Sequence, residues 1–352
     1  MESLTKRRIS SDELAVMVRE GFGANAQVAA WSELRDGTYN AAYMVTLADR
    51  DLDVVLKVAP DPRLELLTYE RDLMWTEALV YRRAGGVGVP VPEVLFADFT
   101  RRVLETDYIF LAVLPGVPLN TVRDRMPEAA LRGVRTELGR VAARLHTVDG
   151  SPFGYPLRSS RTSRPTWRTA FGAMVDDLLA DAVRLESELP VPPATISALV
   201  HRHDDVLDEV DRPALVHFDL WDGNVFVDDD GAGRWRVTGL IDGERAFFGD
   251  PLAELVSLAL GRDVTDVPEL LTGYLDGSDK PARWLSVGAN RTIALTTGAR
   301  RRLALYSAYL HLVMCVEGAT RGFDSRVHKS VRRRAGMRLE LDLGRLGQDD
   351  AE

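Results

Sequence analysis

The feature that most constrains this chain is a change of hydrophobic period at Pro115-Gly116. Before it, apolar residues fall in short runs bounded by turns, the pattern of strands. Runs 26–34 and 41–47 flank Arg35-Asp36-Gly37-Thr38-Tyr39-Asn40 and predict a hairpin, 54–59 predicts a third strand, and 93–99 and 107–114 add two more. One helical stretch, 64–84, interrupts them and ends at Gly85-Gly86. Val89-Pro90-Val91-Pro92 then reads as an extended bridge, because each proline disfavours helix at the residue before it. Ahead of the first strand, Ser10 and Glu13 have the spacing of a capping box opening a short helix that ends near Gly21. Beyond Gly116 the spacing is helical over 128–146, 167–189, 195–210 and most of 251–343. Only an apolar run at 214–218 and a hairpin of 224–227 with 235–241 break that texture. The expected class is α+β: a small antiparallel lobe with one main helix, residues 1–115, and a larger, mostly helical lobe, 116–352, joined by a hinge at about 111–116.

Composition narrows the partners. With 44 basic and 53 acidic residues among 352, the net charge is −9, which weighs against nucleic acid and an anionic membrane surface. The opening MESLTKRRISSDEL lacks the apolar centre of a signal peptide, and no uninterrupted apolar run of about 18 residues suggests a membrane span. The expectation is a cytoplasmic monomer or homodimer, and the single Cys315 cannot form an internal disulfide. Lys6, Lys57, Lys280 and Lys329 are the only lysines, a bias toward arginine typical of GC-rich genomes. Lys57 stands out among them because it lies in an apolar strand, between Leu56 and Val58.

Chemistry concentrates in Leu215-Val-His-Phe-Asp-Leu-Trp-Asp-Gly-Asn-Val-Phe-Val227. A His-x-Asp with an Asn five residues after the Asp suits phosphoryl transfer: the carboxylate of Asp219 can accept a hydroxyl proton, and the amide oxygen of Asn224 can bind Mg²⁺. Gly239-Leu240-Ile241-Asp242 then ends a strand with a second carboxylate, followed by Gly243 and Glu244. Either His217 or Asp219 alone reads as a loop polar residue beside a strand; the ordered set His217, Asp219, Asn224, Asp242 reads as catalysis.

The stretches "LVHFDLWDGNVFVD" and "VTGLIDGERAFFGDPLAEL" resemble the aminoglycoside phosphotransferase family, a branch of the protein-kinase-like bilobal fold that includes choline, homoserine and fructosamine kinases. The resemblance implies that Asp219 is the catalytic base, that His217 orients its loop, and that Asn224 and Asp242 hold Mg²⁺. It implies that Lys57 binds nucleotide phosphates and pairs with a helix glutamate. Glu77 has the family's spacing to Val89-Pro90-Val91-Pro92 and is preferred; Glu70, two helical turns earlier, is the alternative. By the same resemblance Gly37 and Thr38 cover the phosphates. Backbone groups of Ala112 and Leu114 hold a purine, with Leu111 lining its pocket. Glu244 is a possible substrate or supporting residue, and Glu254 stands where the family usually has Asp.

The implied reaction moves the γ-phosphate of ATP or GTP to a small-molecule hydroxyl. An antibiotic is the first expectation for the acceptor, with metabolite kinases as the alternative and "HFDLWDGN" reminiscent of fructosamine kinases. Two readings from other classes are a nucleotide-binding regulator without catalysis and a metal-dependent phosphohydrolase using His217, Asp219 and Asp242. A protein kinase is disfavoured because no activation loop fits between Asp242 and Gly249-Asp250-Pro251. Trp167, Phe171, Tyr274, Trp284 and Tyr306 are expected in the core. The acidic run Asp176, Asp177, Asp181, Glu186, Glu188 and the basic run Arg326, Lys329, Arg332, Arg333, Arg334 are expected on the surface.

Overall fold

The structure is a computed structural model that describes residues 3–35, 37–157, 163–279, 282–288, 293–323 and 325–348. Asp36 of the first hairpin turn and Lys280 lie outside the described residues. The early part holds α1 (Ser11–Phe22), β1 (Val28–Leu34), β2 (Ala41–Leu47), β3 (Leu52–Val58), α2 (Leu73–Gly86), β4 (Val94–Asp98) and β5 (Tyr108–Ala112). The five strands form one antiparallel sheet in the order β1-β2-β3-β5-β4. Ser10 caps α1 through a capping box with Glu13, as its spacing predicts.

Because side chains alternate across a strand, β3 serves both faces of the sheet. Val54, Leu56 and Val58 join Leu14, Met17 and Val18 of α1 in one core. On the opposite face Ile109 and Leu111 pack with Met74, Ala78 and Tyr81 of α2, with Val55 at the edge of that cluster. Lys57 alternates onto this second face, opposite Ile109 in the register. The helix expected over 64–84 starts only at Leu73. Asp72 takes a left-handed backbone at φ 60°, which interrupts a right-handed helix, and Thr68–Glu70 form a separate 3₁₀ turn.

After the sheet come β6 (Val117–Pro118), α3 (Leu119–Val122), α4 (Glu128–Leu145), α5 (Trp167–Arg184), α6 (Pro193–Arg202) and β7 (Ala214–Val216). β8 (Val225–Asp229), β9 (Trp235–Leu240), β10 (Phe247–Gly249), α7 (Glu254–Leu258) and α8 (Pro268–Gly277) follow. The chain then forms the small hairpin β11 (Leu285–Val287) and β12 (Ile293–Leu295) before α9 (Thr297–Val316), α10 (Gly318–Arg321) and α11 (Arg326–Gln348). The expected helix 195–210 is shorter, since Asp204–Glu209 wind as a 3₁₀ turn. Gly116 sits at φ 90°, and a Cβ there would meet the Val227 carbonyl oxygen at 2.3 Å. Only glycine lets the chain leave β5 and pair β6 with β8 at this point. The linker before β4 is tied to the same region, with Leu240 N–H donating to Pro90 O at 2.9 Å.

The large core of the helical part contains Trp167, Phe171, Tyr274, Trp284 and Tyr306, all buried. The basic residues of α11 are exposed. The acidic run is not uniformly solvated: Asp181 is buried and accepts bonds from the backbone and hydroxyl of Thr68, tying α5 to the 3₁₀ turn. Although no uninterrupted apolar run marks the sequence, Thr297–Arg321 is helical, long and apolar enough to cross a membrane. It is mostly buried, and its α9 segment packs on α11 and α5, the surroundings of a core helix.

Candidate active site

The site forms where the α2-facing side of the sheet meets the loops after β7 and β9. Lys57 Nζ lies 2.6 Å from Glu77 Oε1 on α2 and 2.6 Å from Asp242 Oδ1 at the end of β9. All three charges are partly or wholly removed from water, with Glu77 fully buried. Burial disfavours the ammonium, but the carboxylates of Asp242 and Glu77 outweigh it and hold Lys57 well above the ordinary lysine range. Asp242 adopts a left-handed backbone, φ 59°. Burial opposes its ionisation, yet Lys57 holds its carboxyl below the usual range.

The loop between β7 and β8 carries the other motif residues. His217 is buried, and its Nε2 lies 3.0 Å from the Ile241 carbonyl oxygen. A carbonyl only accepts, so Nε2 carries the proton. Burial lowers the His217 pKa and keeps the ring neutral. His217 therefore ties the loop to the residue before Asp242 rather than facing a reactant. Asn224 Nδ2 donates to Asp219 O at 2.9 Å and to Asp219 Oδ2 at 3.3 Å. With the nitrogen so engaged, the amide oxygen is the part of Asn224 left for a cation. Burial raises the Asp219 carboxyl to about 6, opposed by the Arg245 guanidinium at 3.5 Å.

Glu254, in place of the family's usual Asp, is buried beneath this loop. Its carboxylate accepts successive backbone N–H groups of His217 at 2.6 Å and Phe218 at 2.9 Å. Phe218 is held at φ 62°, a conformation that costs a bulky residue energy and persists only when its surroundings fix it. Glu244 is buried and accepts from Asn40 Nδ2 at 2.7 Å. Burial pushes its carboxyl up to about 8 despite Lys57, with Asp242 and Glu77 adding to the rise.

The remaining predicted residues come from α2 and the 3₁₀ turn before it, the first hairpin turn and the stretch around the end of β5. Lys57 pairs with Glu77, whereas Glu70 turns the opposite way to Arg321 Nη2 at 3.2 Å, because it lies in the 3₁₀ turn and not on α2. Thr38 stands in the hairpin turn with its hydroxyl accepting from Arg321 Nη1 at 3.4 Å, and Gly37 beside it is exposed. The Ala112 N–H donates to Glu93 O at 2.9 Å. Leu111 is packed in the α2 cluster, and Leu114 lies against Gly239, where an added Cβ would meet it at 2.3 Å.

Sequence reasoning missed an alternating chain of charges on the far side of Asp219. Arg245 bridges Asp219 and Glu317, and Arg321 bridges Glu317 and Glu70. Only the "DGER" segment hinted at it; the partners come from α10 and the α9–α10 junction, more than 70 positions later. Tyr81, between Glu77 and Asp242, was also missed.

The Asp242 carboxylate and the Asn224 amide oxygen are donors of the kind a hard divalent cation takes. Among the described residues no three His, Cys, Asp or Glu side chains are grouped so that they could hold a metal ion by themselves.

A model of the phosphotransferase enzyme family matches residues 30–287. The probable ketoamine kinase YniA of Escherichia coli K12 is 27% identical over 260 residues, covering 72% of this chain and 80% of that protein. Among solved structures, the aminoglycoside phosphotransferase APH(4)-Ia in a ternary complex with AMP-PNP and hygromycin B superposes with a TM-score of 0.60 at 20% identity, covering 95% of this chain and 99% of the other. The Plasmodium vivax ethanolamine kinase does so with a TM-score of 0.57 at 12% identity, covering 93% and 86%. These neighbours share the kinase-like fold, with its antiparallel sheet and helical second part. With the match spanning most of its length and both halves of the cleft, the chain belongs to the phosphotransferase enzyme family.

Proposed function

We propose that this protein transfers the γ-phosphoryl group of ATP to a hydroxyl of a small molecule. The observation that carries the reading is Lys57, held between Glu77 and Asp242, in the same cleft as a partly exposed Asp219. A compact ammonium with three donors suits phosphate oxygens. Asp219 accepts the proton of the attacking hydroxyl; a carboxyl near 6 is ionised at neutral pH yet basic enough to help. Arg245 limits that rise and fixes the carboxylate's direction. His217 and Glu254 hold the loop that presents it. Mg²⁺, held by Asn224 and Asp242, would neutralise charge on the phosphates. The work of the chain is positioning and electrostatics, not covalent chemistry.

For the acceptor we infer a sugar-derived metabolite of the ketoamine type, supported by the identity with YniA and by the "HFDLWDGN" motif. A hydroxyl of an antibiotic is the second reading, favoured by "IDGERAFFGDP". The test is a thermal-shift screen of ATP and GTP with Mg²⁺, followed by transfer assays on ketoamines and aminoglycosides. Stabilisation by Mg²⁺ and ATP and phosphorylation of one acceptor class are expected. Absence of stabilisation by any nucleoside triphosphate overturns the proposal.

A further inference from the structure

We infer that the Tyr81 hydroxyl is a positioning group for the metal-binding carboxylate, linking the Lys57–Glu77 pair to the backbone of Asp242. The inference rests on the phosphotransferase reading and deepens it. Tyr81 lies one helical turn after Glu77 and is buried on the cleft side of α2. Its O–H donates to Glu77 Oε1 at 2.6 Å, and its oxygen accepts the Asp242 N–H at 3.0 Å.

Asp242 lies in the left-handed region, which aspartate visits more readily than most side chains but which its neighbours must still select. Two contacts to α2 do so here. Tyr81 takes the Asp242 N–H, and Val80 packs so close to Gly243 that a Cβ there would sit 2.8 Å from it. Removing the hydroxyl orphans a partly buried backbone donor and takes one of two hydrogen-bond donors from Glu77 Oε1, leaving Lys57 as the other. Glu77 Oε2 already lacks a partner, so no second bond takes over. The peptide before Asp242 then keeps only the His217 bond to its Ile241 carbonyl, and the carboxylate loses part of its aim. Groups that orient a metal ligand without touching the metal typically govern 10–100-fold in affinity.

The experiment measures the Mg²⁺ concentration that half-saturates ATP-dependent thermal stabilisation in the wild type, Tyr81→Phe and Tyr306→Phe, with ATP binding in EDTA as a separate arm. Tyr306→Phe is the control because it also removes a buried hydroxyl that donates once, to Asp250, and accepts once, from Trp167. Tyr81→Phe is expected to need roughly tenfold more Mg²⁺, with metal-free ATP binding unchanged. Tyr306→Phe should lose comparable stability and keep the wild-type Mg²⁺ requirement. An unchanged requirement in Tyr81→Phe, or an equal rise in Tyr306→Phe, overturns the inference alone. A wild type unresponsive to Mg²⁺ and ATP overturns the phosphotransferase reading and the inference with it. If Tyr81→Phe does not fold, amide exchange in the wild type decides. Asp242 N–H protected like the interior of α2 supports the bond, and exchange as fast as in exposed loops refutes it.

Discussion

Two charged clusters flank the cleft, and they are built by opposite rules. On the sheet side a single lysine stands between two carboxylates, Glu77 and Asp242. On the helical side two arginines thread three carboxylates in series: Asp219, Arg245, Glu317, Arg321, Glu70. The ammonium is a compact charge on a flexible stem, whereas each guanidinium is a planar fork that fixes two partners at once. The lysine cluster can therefore turn a donor toward an arriving phosphate without being dismantled. In the arginine chain the end links cannot yield without stranding Asp219 or Glu70, so it is suited to holding Asp219 still. Reactivity and rigidity are divided between the two walls.

The widest separation between them is expected from Asp219→Asn. Transfer should fall roughly a thousandfold while Mg²⁺- and ATP-dependent stabilisation stays, as read by single-turnover assays beside thermal shift. A variant losing both would merge the two walls into one unit. Next in size is Arg321→Met, which strands the buried Glu70 and should cost about 3 kcal/mol of folding stability. Burial already holds Glu70 above the ordinary range, so adding Glu70→Gln should restore at least about 1 kcal/mol. Denaturant titration of the two single variants and the double one reports the coupling; strict additivity would mean that the chain is not a chain.

A smaller effect concerns pH. Below about 6, where burial has raised Asp219, the rate should drop about tenfold per unit as the base is protonated. Arg245→Gln removes the cation opposing that rise, so the acid limb should move to higher pH; a limb that stays in place would show that Arg245 does not act on the base. A second pH effect belongs to Glu244. Its carboxyl, raised by burial from 4.5 to about 8, favours the folded state only while protonated. Stability should therefore decline as pH rises from about 4.5 through 8, and Glu244→Gln should flatten that slope in melting curves.

How legible each wall was follows from where its residues lie in the chain. Asp219, Asn224 and Asp242 sit on one loop and the strand end that follows it, so their spacing carries their geometry. Lys57 was legible because an ammonium in an apolar strand needs a reason. The arginine chain was not, since Glu70 meets Arg321 only through the tertiary fold and no local pattern announces either. The helix expected over 64–84 failed for the same reason. Its apolar spacing is genuine, but Glu70 is turned aside by Arg321, Thr320 and the Leu67 amide, and Asp72 reverses the backbone hand. Tyr81 carried no signal in the sequence; only the meeting of α2 with the end of β9 gives its hydroxyl a task.

A series of alternating charges also constrains descent. Replacing Arg321 leaves the buried Glu70 without its cation, and replacing Arg245 does the same to Asp219, so single exchanges at either arginine should be purged while paired exchanges survive. Positions 70 and 321 should thus drift together in relatives of this chain, an inherited linkage between a turn near the sheet and a short helix far along the sequence.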